Sequence, residues 1–338
     1  MPLSVVDGAS LKALNSFGVD ARARRLVTLV DPADTDAALS LLGQARERLV
    51  LGAGSNVLFT GDYGGTVLCM RTQGRRLLGE DRGESVVQAE AGENWDEFVR
   101  WTLSQGLCGL ENLSLIPGTV GASPMQNIGA YGVEIRERFA GLDAVRIADG
   151  TRRQFVAPDC EFGYRDSVFK HPRGAGWLIE RVRFRLSRDS SASLGYGELR
   201  EELARRGIVS ASPAEVADTV RALRRRKLPD PAALGNAGSF FKNPVLPRQA
   251  ASALLAAHPG LPHWPAGPEV KVSAAWMIER CGWKGKRESD AGVHASHALV
   301  LVNHGHASGG QILALAALIR VSVMDTFGVE LEVEPTVV

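Results

Sequence analysis

Leu49-Val-Leu-Gly-Ala-Gly-Ser-Asn56 is the stretch on which the fold turns. Leu49–Leu51 has the character of a short buried strand, and it runs straight into a loop with glycines at 52 and 54. Upstream, Arg24–Val30 reads as another strand. Asp34–Leu42 then shows helical spacing, with Asp34 as the expected N-cap. Downstream, Thr66–Met70 reads as a third strand, which gives a βαβ-like unit with a glycine loop at a strand end. A dinucleotide fingerprint G-x-G-x-x-G would need Gly at 57 and an acidic residue about 20 positions on. Val57 stands in the first place, and Arg71 and Thr72 occupy the second region. The Rossmann reading is therefore set aside. Two readings stay open for the loop: N–H groups and the Ser55 hydroxyl cradling a phosphate, or a tight turn.

Working outward, the middle of the chain changes character. Ser85–Ala91, Leu142–Ile147 and Trp177–Leu186 read as strands, the last alternating apolar and charged residues with period two. Asp96–Gln105 reads as a helix. Between them lies Ile116–Gly132 (IPGTVGASPMQNIGAYG), a long loop full of turn formers yet rich in Ile, Val and Met. Long ordered loops are usually functional. Pro213–Lys227 is helical and ends in a basic run, and Leu228-Pro-Asp-Pro231 stops it at a boundary. Ser273–Cys281 reads as a helix, Ala298–Asn303 as a strand and Gly310–Phe327 as a long amphipathic helix closed by Gly328. Leu331–Val338 reads as a final strand. The class is α+β, in three units.

Composition excludes several functions. The 338 residues predict two or three domains at roughly 100–200 residues each. Lys plus Arg total 39 against 38 Asp plus Glu, a net charge of +1. That balance leaves no global footprint for nucleic acid or an anionic membrane. The N-terminus lacks a basic region followed by a long apolar run, so no secretory signal is expected. Ile312–Ile319 is too short a run to span a bilayer, which needs about 20 residues. Cys69, Cys108, Cys160 and Cys281 are far apart, so neither a zinc ribbon nor a redox dithiol is expected. The expectation is a cytoplasmic protein with reduced thiols. His294-x-x-His297 and His304-x-His306 lack the carboxylates or cysteines of a zinc site, and no metal is expected. Arg224-Arg-Arg-Lys227 suits either a solvated helix end or a diphosphate. Ser239, in Gly235–Pro244, lacks the G-x-S-x-G elbow of a hydrolase.

Taken together, these segments are recognisable. The chain resembles the UDP-N-acetylenolpyruvoylglucosamine reductase family of flavoenzymes. The resemblance is carried by Leu14–Gly18 (LNSFG), Leu51–Leu58 (LGAGSNVL), Leu113–Glu134, Gly163–Ser167 (GYRDS), Arg226–Pro231 (RKLPDP), Asn236–Pro244 (NAGSFFKNP) and Leu331–Pro335 (LEVEP). It implies an FAD-binding fold of the vanillyl-alcohol-oxidase type, with two α+β FAD subdomains and an α+β substrate-binding domain. The implied boundaries are 1–71, 72–227 and 228–330, with the strand 331–338 returning near the active site. Non-covalent FAD would be held by Gly52, Ala53, Gly54, Ser55 and Asn56, by Pro117, Gly118, Thr119 and Gly121, and by Asn127, Gly129, Ala130 and Tyr131. Tyr196, Lys227, Asn243, Trp264 and Lys271 match substrate-binding positions.

The implied activity is NADPH-dependent reduction of UDP-N-acetylglucosamine enolpyruvate to UDP-N-acetylmuramate, a step of peptidoglycan precursor synthesis. NADPH is a co-substrate. Hydride goes from the reduced flavin to substrate C3, and C2 is then protonated. By the resemblance, Arg165 and Glu334 stabilise the charge that develops at C2, and Ser239 supplies the proton. The family often has Pro between the last two acidic residues, where this chain has Val333; Glu334 aligns with the catalytic position, and Glu332 stays open as a sharer of its role. The implied partners are the two substrates alone, for a monomer that binds neither nucleic acid nor membrane. The alternative is an FAD-dependent oxidase of another alcohol or sugar on the same fold.

Overall fold

Alternating strands and amphipathic helices each leave one apolar face to bury, and here that burial divides the chain in two. The computed structural model describes residues 3–81, 83–189 and 193–338. One compact unit comprises Met1–Ala9, Ala23–Ala53 and Gly64–Arg226; the other comprises Ser10–Arg22, Gly54–Tyr63 and Lys227–Val338.

The first unit contains two sheets. One orders its strands Ser4–Ser10, Arg22–Leu29, Tyr63–Met70 and Arg48–Leu51. The last two pair in parallel, with Arg48 opposite Thr66 and Leu51 opposite Cys69. Helix Thr35–Gly43 connects into this sheet and buries Ala38, Leu39 and Leu42 with Val27, Leu29 and Leu68. The βαβ-like expectation holds. Asp34 occupies the N-cap position of that helix but makes no side-chain cap bond. Its Oδ2 instead accepts the Leu3 N–H at 3.2 Å. The second sheet is antiparallel throughout, in the order Arg152–Phe155, Phe139–Arg146, Trp177–Leu186, Glu84–Glu90 and Arg75–Asp81. Leu178, Val182, Phe184 and Leu186 of the ten-residue strand are buried, as the alternation predicts. Helix Trp95–Ser104 packs Trp95, Phe98 and Val99 into the same core. A smaller cluster joins helices Gly197–Arg205 and Pro213–Lys227 through Leu199, Leu203, Val216, Val220 and Leu223.

The second unit is built around strands Gly235–Ser239, Val300–Asn303, Ala291–Val293 and Arg287–Glu288. A three-stranded sheet, Val245–Pro247, Glu269–Val272 and His263–Ala266, belongs to the same unit. The helix expected at 310–327 spans Gly309–Phe327 and is capped by Ser308 and by Gly328 at φ 65°. By length and composition it is the one helix among the described residues that could cross a membrane. It turns Ile312, Leu315, Ala316, Ile319 and Val323 into the unit's core beside Phe240, Met277 and Ile278. Ala291 and Val293 complete that face.

The final strand expected at 331–338 does not run unbroken. Val333 bridges Phe241, and only Thr336–Val337 forms a strand, parallel to Val57–Leu58. Pro335 lies between the two pairings, has no N–H to give and ends the first one.

Candidate functional site

In the first unit the two glycine-rich loops meet. Gly52 leaves strand Arg48–Leu51, and a Cβ built on it would lie 2.6 Å from Thr119 Oγ1. Its carbonyl accepts from Arg71 Nη1 at 3.0 Å. The Pro117–Gly121 segment is sewn to residues 91–95: Trp95 N–H donates to the Gly118 carbonyl, Val120 N–H to Glu93, and Gly121 N–H to Ala91. A Cβ on Gly121 would fall 2.4 Å from Ala91 Cβ. Gly52 thus lets the Thr119 side chain come close, and Gly121 lets its segment lie directly on Ala91.

The rest of the long loop is held by side chains. A 3₁₀ turn over Val120–Gln126 ends at Asn127, buried at φ 45°. Asn127 Nδ2 donates to Glu134 Oε2 and the Gly163 carbonyl, both at 2.9 Å, and its Oδ1 accepts the Arg136 N–H. The Asn127 amide is thereby committed to shaping the loop. Arg165, itself at φ 54°, donates from Nη2 to the Gly129 carbonyl at 2.8 Å. Asn112 Nδ2 fixes the Tyr131 carbonyl at 3.0 Å. The Tyr131 and Tyr196 rings meet edge to face, 5.3 Å apart. Burial pushes the Tyr131 phenol up to about 12, so it stays a protonated donor. Hence the first unit brings together Gly52, Thr119, Gly121, Asn127, Gly129, Tyr131, Arg165 and Tyr196 around one loop.

Ala53, Pro117, Gly118 and Ala130 also lie in the first unit, and the second holds Gly54, Ser55, Asn56, Lys227, Ser239, Asn243, Trp264, Lys271 and Glu334. Gly54, at φ 63°, has no room for a side chain, because a Cβ would lie 1.9 Å from the Leu14 carbonyl oxygen. Its own carbonyl accepts from Ser16 N–H. The second glycine of the loop therefore accommodates the Leu14–Gly18 segment. Asn56 Nδ2 reaches the Glu334 carbonyl at 3.4 Å. Ser239 closes strand Gly235–Ser239 opposite Val300, just after a bulge that begins at Asn236. Gly238 supplies φ 70°, and its N–H is caught by Asn236 Oδ1 at 2.9 Å. Bulges re-aim the side chain that follows them, and the Ser239 hydroxyl makes no hydrogen bond to another described residue.

Asn243 Oδ1 accepts the Ala274 N–H at 3.0 Å, and its amide nitrogen is without a partner among the described residues. Trp264 and Lys271 face each other across neighbouring strands, with the ammonium 6.0 Å from the indole. Glu334 N–H donates to Phe240. Of the two glutamates, Glu332 pairs through Oε1 with Lys242 Nζ at 2.5 Å. The stretch His258–Pro268 supplies strand His263–Ala266 and a ring contact between His258 and Phe327 at 4.8 Å.

Three comparisons bear on this arrangement. Residues 23–155, which contain both first-unit loops, match the model of an FAD binding domain. Residues 230–338, which contain Ser239, Asn243, Trp264, Lys271 and Glu334, match the UDP-N-acetylenolpyruvoylglucosamine reductase C-terminal domain. The UDP-N-acetylenolpyruvoylglucosamine reductase of Pseudomonas putida is 53% identical over 96% of each chain. The chain belongs to the UDP-N-acetylenolpyruvoylglucosamine reductase family. Its relative from Azoarcus is 51% identical over 100% of this chain and 99% of that one. The crystal structure of the Thermus caldophilus reductase (MurB) superposes with a TM-score of 0.67 at 25% identity, covering 100% of this chain and 99% of the other. Family membership and the FAD-domain match bear out the flavoprotein fold expected from the sequence.

Sequence reading missed a group that the structure makes prominent. Asp96 Oδ1 accepts the Leu115 N–H at 2.6 Å and Arg221 Nη2 at 3.2 Å, while Arg224 Nε donates to the Leu115 carbonyl at 3.1 Å. Nothing in the local pattern links these three segments; only the φ of 59° at Leu115, invisible in sequence, marks the spot.

Proposed function

We propose that this chain reduces UDP-N-acetylglucosamine enolpyruvate to UDP-N-acetylmuramate at the expense of NADPH, as a step of peptidoglycan precursor synthesis. Family membership along nearly the whole chain is the observation that carries this reading. FAD is the cofactor, and the close seats that Gly52 and Gly121 allow against Thr119 and Ala91 hold two glycine-rich segments of the FAD binding domain in place for it. Gly52–Ala53 and Pro117–Gly121 would hold its diphosphate, and Gly129–Tyr131 its ring, with Gly54–Asn56 assigned to the same diphosphate. When bound, FAD would supply the hydride chemistry between NADPH and substrate C3.

The chain's own residues do the rest. Hydride addition at C3 leaves negative charge on C2 and the attached carboxylate. Arg165, held through its guanidinium to the Gly129 carbonyl, stabilises that charge, a role Glu334 shares in this reading. Ser239 gives C2 its proton; the bulge at Asn236–Ser239 orients the hydroxyl, and no other described residue occupies it. Lys227 and the spare amide of Asn243 bind the nucleotide diphosphate. Tyr196, packed on Tyr131, covers the substrate, and the Trp264–Lys271 pair extends its contacts. Asn127 acts by shaping the loop that carries Gly129–Tyr131.

For binding we propose a division finer than the two compact units: FAD subdomains 1–71 and 72–227 and a substrate domain 228–330, with 331–338 contributing Glu334. We propose a cytoplasmic monomer; the near-neutral charge leaves no global footprint for nucleic acid or an anionic membrane. The test is steady-state NADPH oxidation by purified, FAD-loaded protein. Turnover that requires the enolpyruvyl nucleotide is expected; NADPH oxidation indifferent to that nucleotide would overturn the assignment.

A further inference from the structure

Leu115 sits where the chain enters the proposed flavin loop, and its backbone is left-handed, at φ 59°, a conformation that a leucine adopts only under constraint. The constraint is visible on both of its peptide groups. Its N–H is taken by Asp96 Oδ1 at 2.6 Å, and its carbonyl by Arg224 Nε at 3.1 Å. Asp96 lies in the first turn of helix Trp95–Ser104, whose N-cap is Asn94. The other Asp96 oxygen accepts from Arg100 Nε at 2.9 Å. Arg221, 7% exposed, completes the group through Asp96, and its own Nε has no partner among the described residues. Burial alone would raise the Asp96 carboxyl; the Leu115 N–H, Arg221 and Arg100 outweigh it and hold the carboxyl below the usual range. One carboxylate and two arginines of helix Pro213–Lys227 thus clamp a strained residue two positions before Pro117.

We infer that Asp96 is a positioning residue for the flavin site: it holds Leu115 in its left-handed conformation and so sets where the Pro117–Gly121 backbone lies. This rests on the proposal that Pro117–Gly121 contacts FAD. The residue touches no reacting atom in this account and acts through Leu115. Because glycine adopts the left-handed conformation without help, the clamp becomes dispensable once position 115 is glycine.

The test uses purified FAD-loaded enzyme and measures flavin release on dilution by the rise in flavin fluorescence. Asp96→Ala alone strands the buried Arg221 charge and risks misfolding, so the working variant is Asp96→Ala/Arg221→Leu, which removes both partners. It is expected to fold, judged by circular dichroism, and to bind FAD about tenfold more weakly. Adding Leu115→Gly is expected to restore FAD affinity to within about threefold of the parent, a rescue that a role in general stability would not produce. Unchanged affinity in the double variant overturns the inference, and so does a deficit that Leu115→Gly leaves in place. Should the double variant not fold, Asp96→Asn with and without Leu115→Gly is held to the same two outcomes. A parent enzyme that retains no FAD would instead remove the flavin assignment itself, a different failure from normal FAD affinity in the variants.

Discussion

Ser239 is where the chemistry and the local structure depend on each other most closely. A hydroxyl is a weak acid, so its value as a proton donor lies in placement. The bulge, Gly238 at φ 70° and the Asn236 side chain provide that placement. Asn236 is itself pinned by donating to the Pro229 and Leu234 carbonyls at 3.1 and 2.8 Å. Ser239→Ala is expected to bind FAD and accept reducing equivalents from NADPH at the normal rate. Its reoxidation by the enolpyruvyl nucleotide should be slower by about 10²–10⁴-fold, read by stopped-flow flavin absorbance. Normal reoxidation would remove Ser239 as the donor. At this scale the sequence was informative about residue type and silent about tethering. The NAGSFFKNP segment pointed to Ser239, yet nothing in it discloses the bulge. Likewise Asp34 looked like a cap, while its carboxylate answers the Leu3 N–H. Asp96 and Leu115 went unread because their link is tertiary.

Among the elements, legibility followed burial pattern. Strand Trp177–Leu186 and helix Pro213–Lys227 have the bounds that periodicity predicts, because each buries one face against a core. Helix Gly197–Arg205 was missed: only Leu199, Leu203 and Ala204 break its charged run, and Glu202 is drawn inward to meet Arg206 and Arg226. The hairpin from His263 to Val272 was missed because His263, Trp264 and Pro265 are exposed, which leaves no alternation to find. The Gly52 and Pro117–Gly121 loops were legible as glycine-rich but not as neighbours. The seat of the second loop on residues 91–95 yields a prediction of its own. In Gly121→Ala the new methyl meets Ala91 Cβ at 2.4 Å, so the loop must lift from residues 91–95. Overpacking of this kind costs about 1–3 kcal/mol. The purified variant should carry markedly less flavin per chain, read as the ratio of visible to 280 nm absorbance. Full flavin content would show that the loop's seat on Ala91 is immaterial to binding.

Across the whole molecule, the sequence conveyed class and chemistry better than chain path. Glycines 52, 54 and 121 stand at close loop approaches, and within a net charge of +1 the basic run Arg224–Lys227 closes helix Pro213–Lys227. What local pattern could not convey is that Ser10–Arg22 and Gly54–Tyr63 pack with the C-terminal unit. Those segments are joined to it by pairings far apart in sequence, such as Thr336 with Val57 and Asn303 with the Phe17 carbonyl. The central claim is a two-stage transfer, in which FAD is reduced by NADPH and reoxidised by the enolpyruvyl nucleotide. The most direct measurement is an anaerobic titration of the FAD-loaded protein, followed by its visible spectrum. NADPH should bleach the flavin bands, and UDP-N-acetylglucosamine enolpyruvate added next should restore them with formation of UDP-N-acetylmuramate. A flavin that bleaches with NADPH and stays reduced when the nucleotide is added would contradict the account.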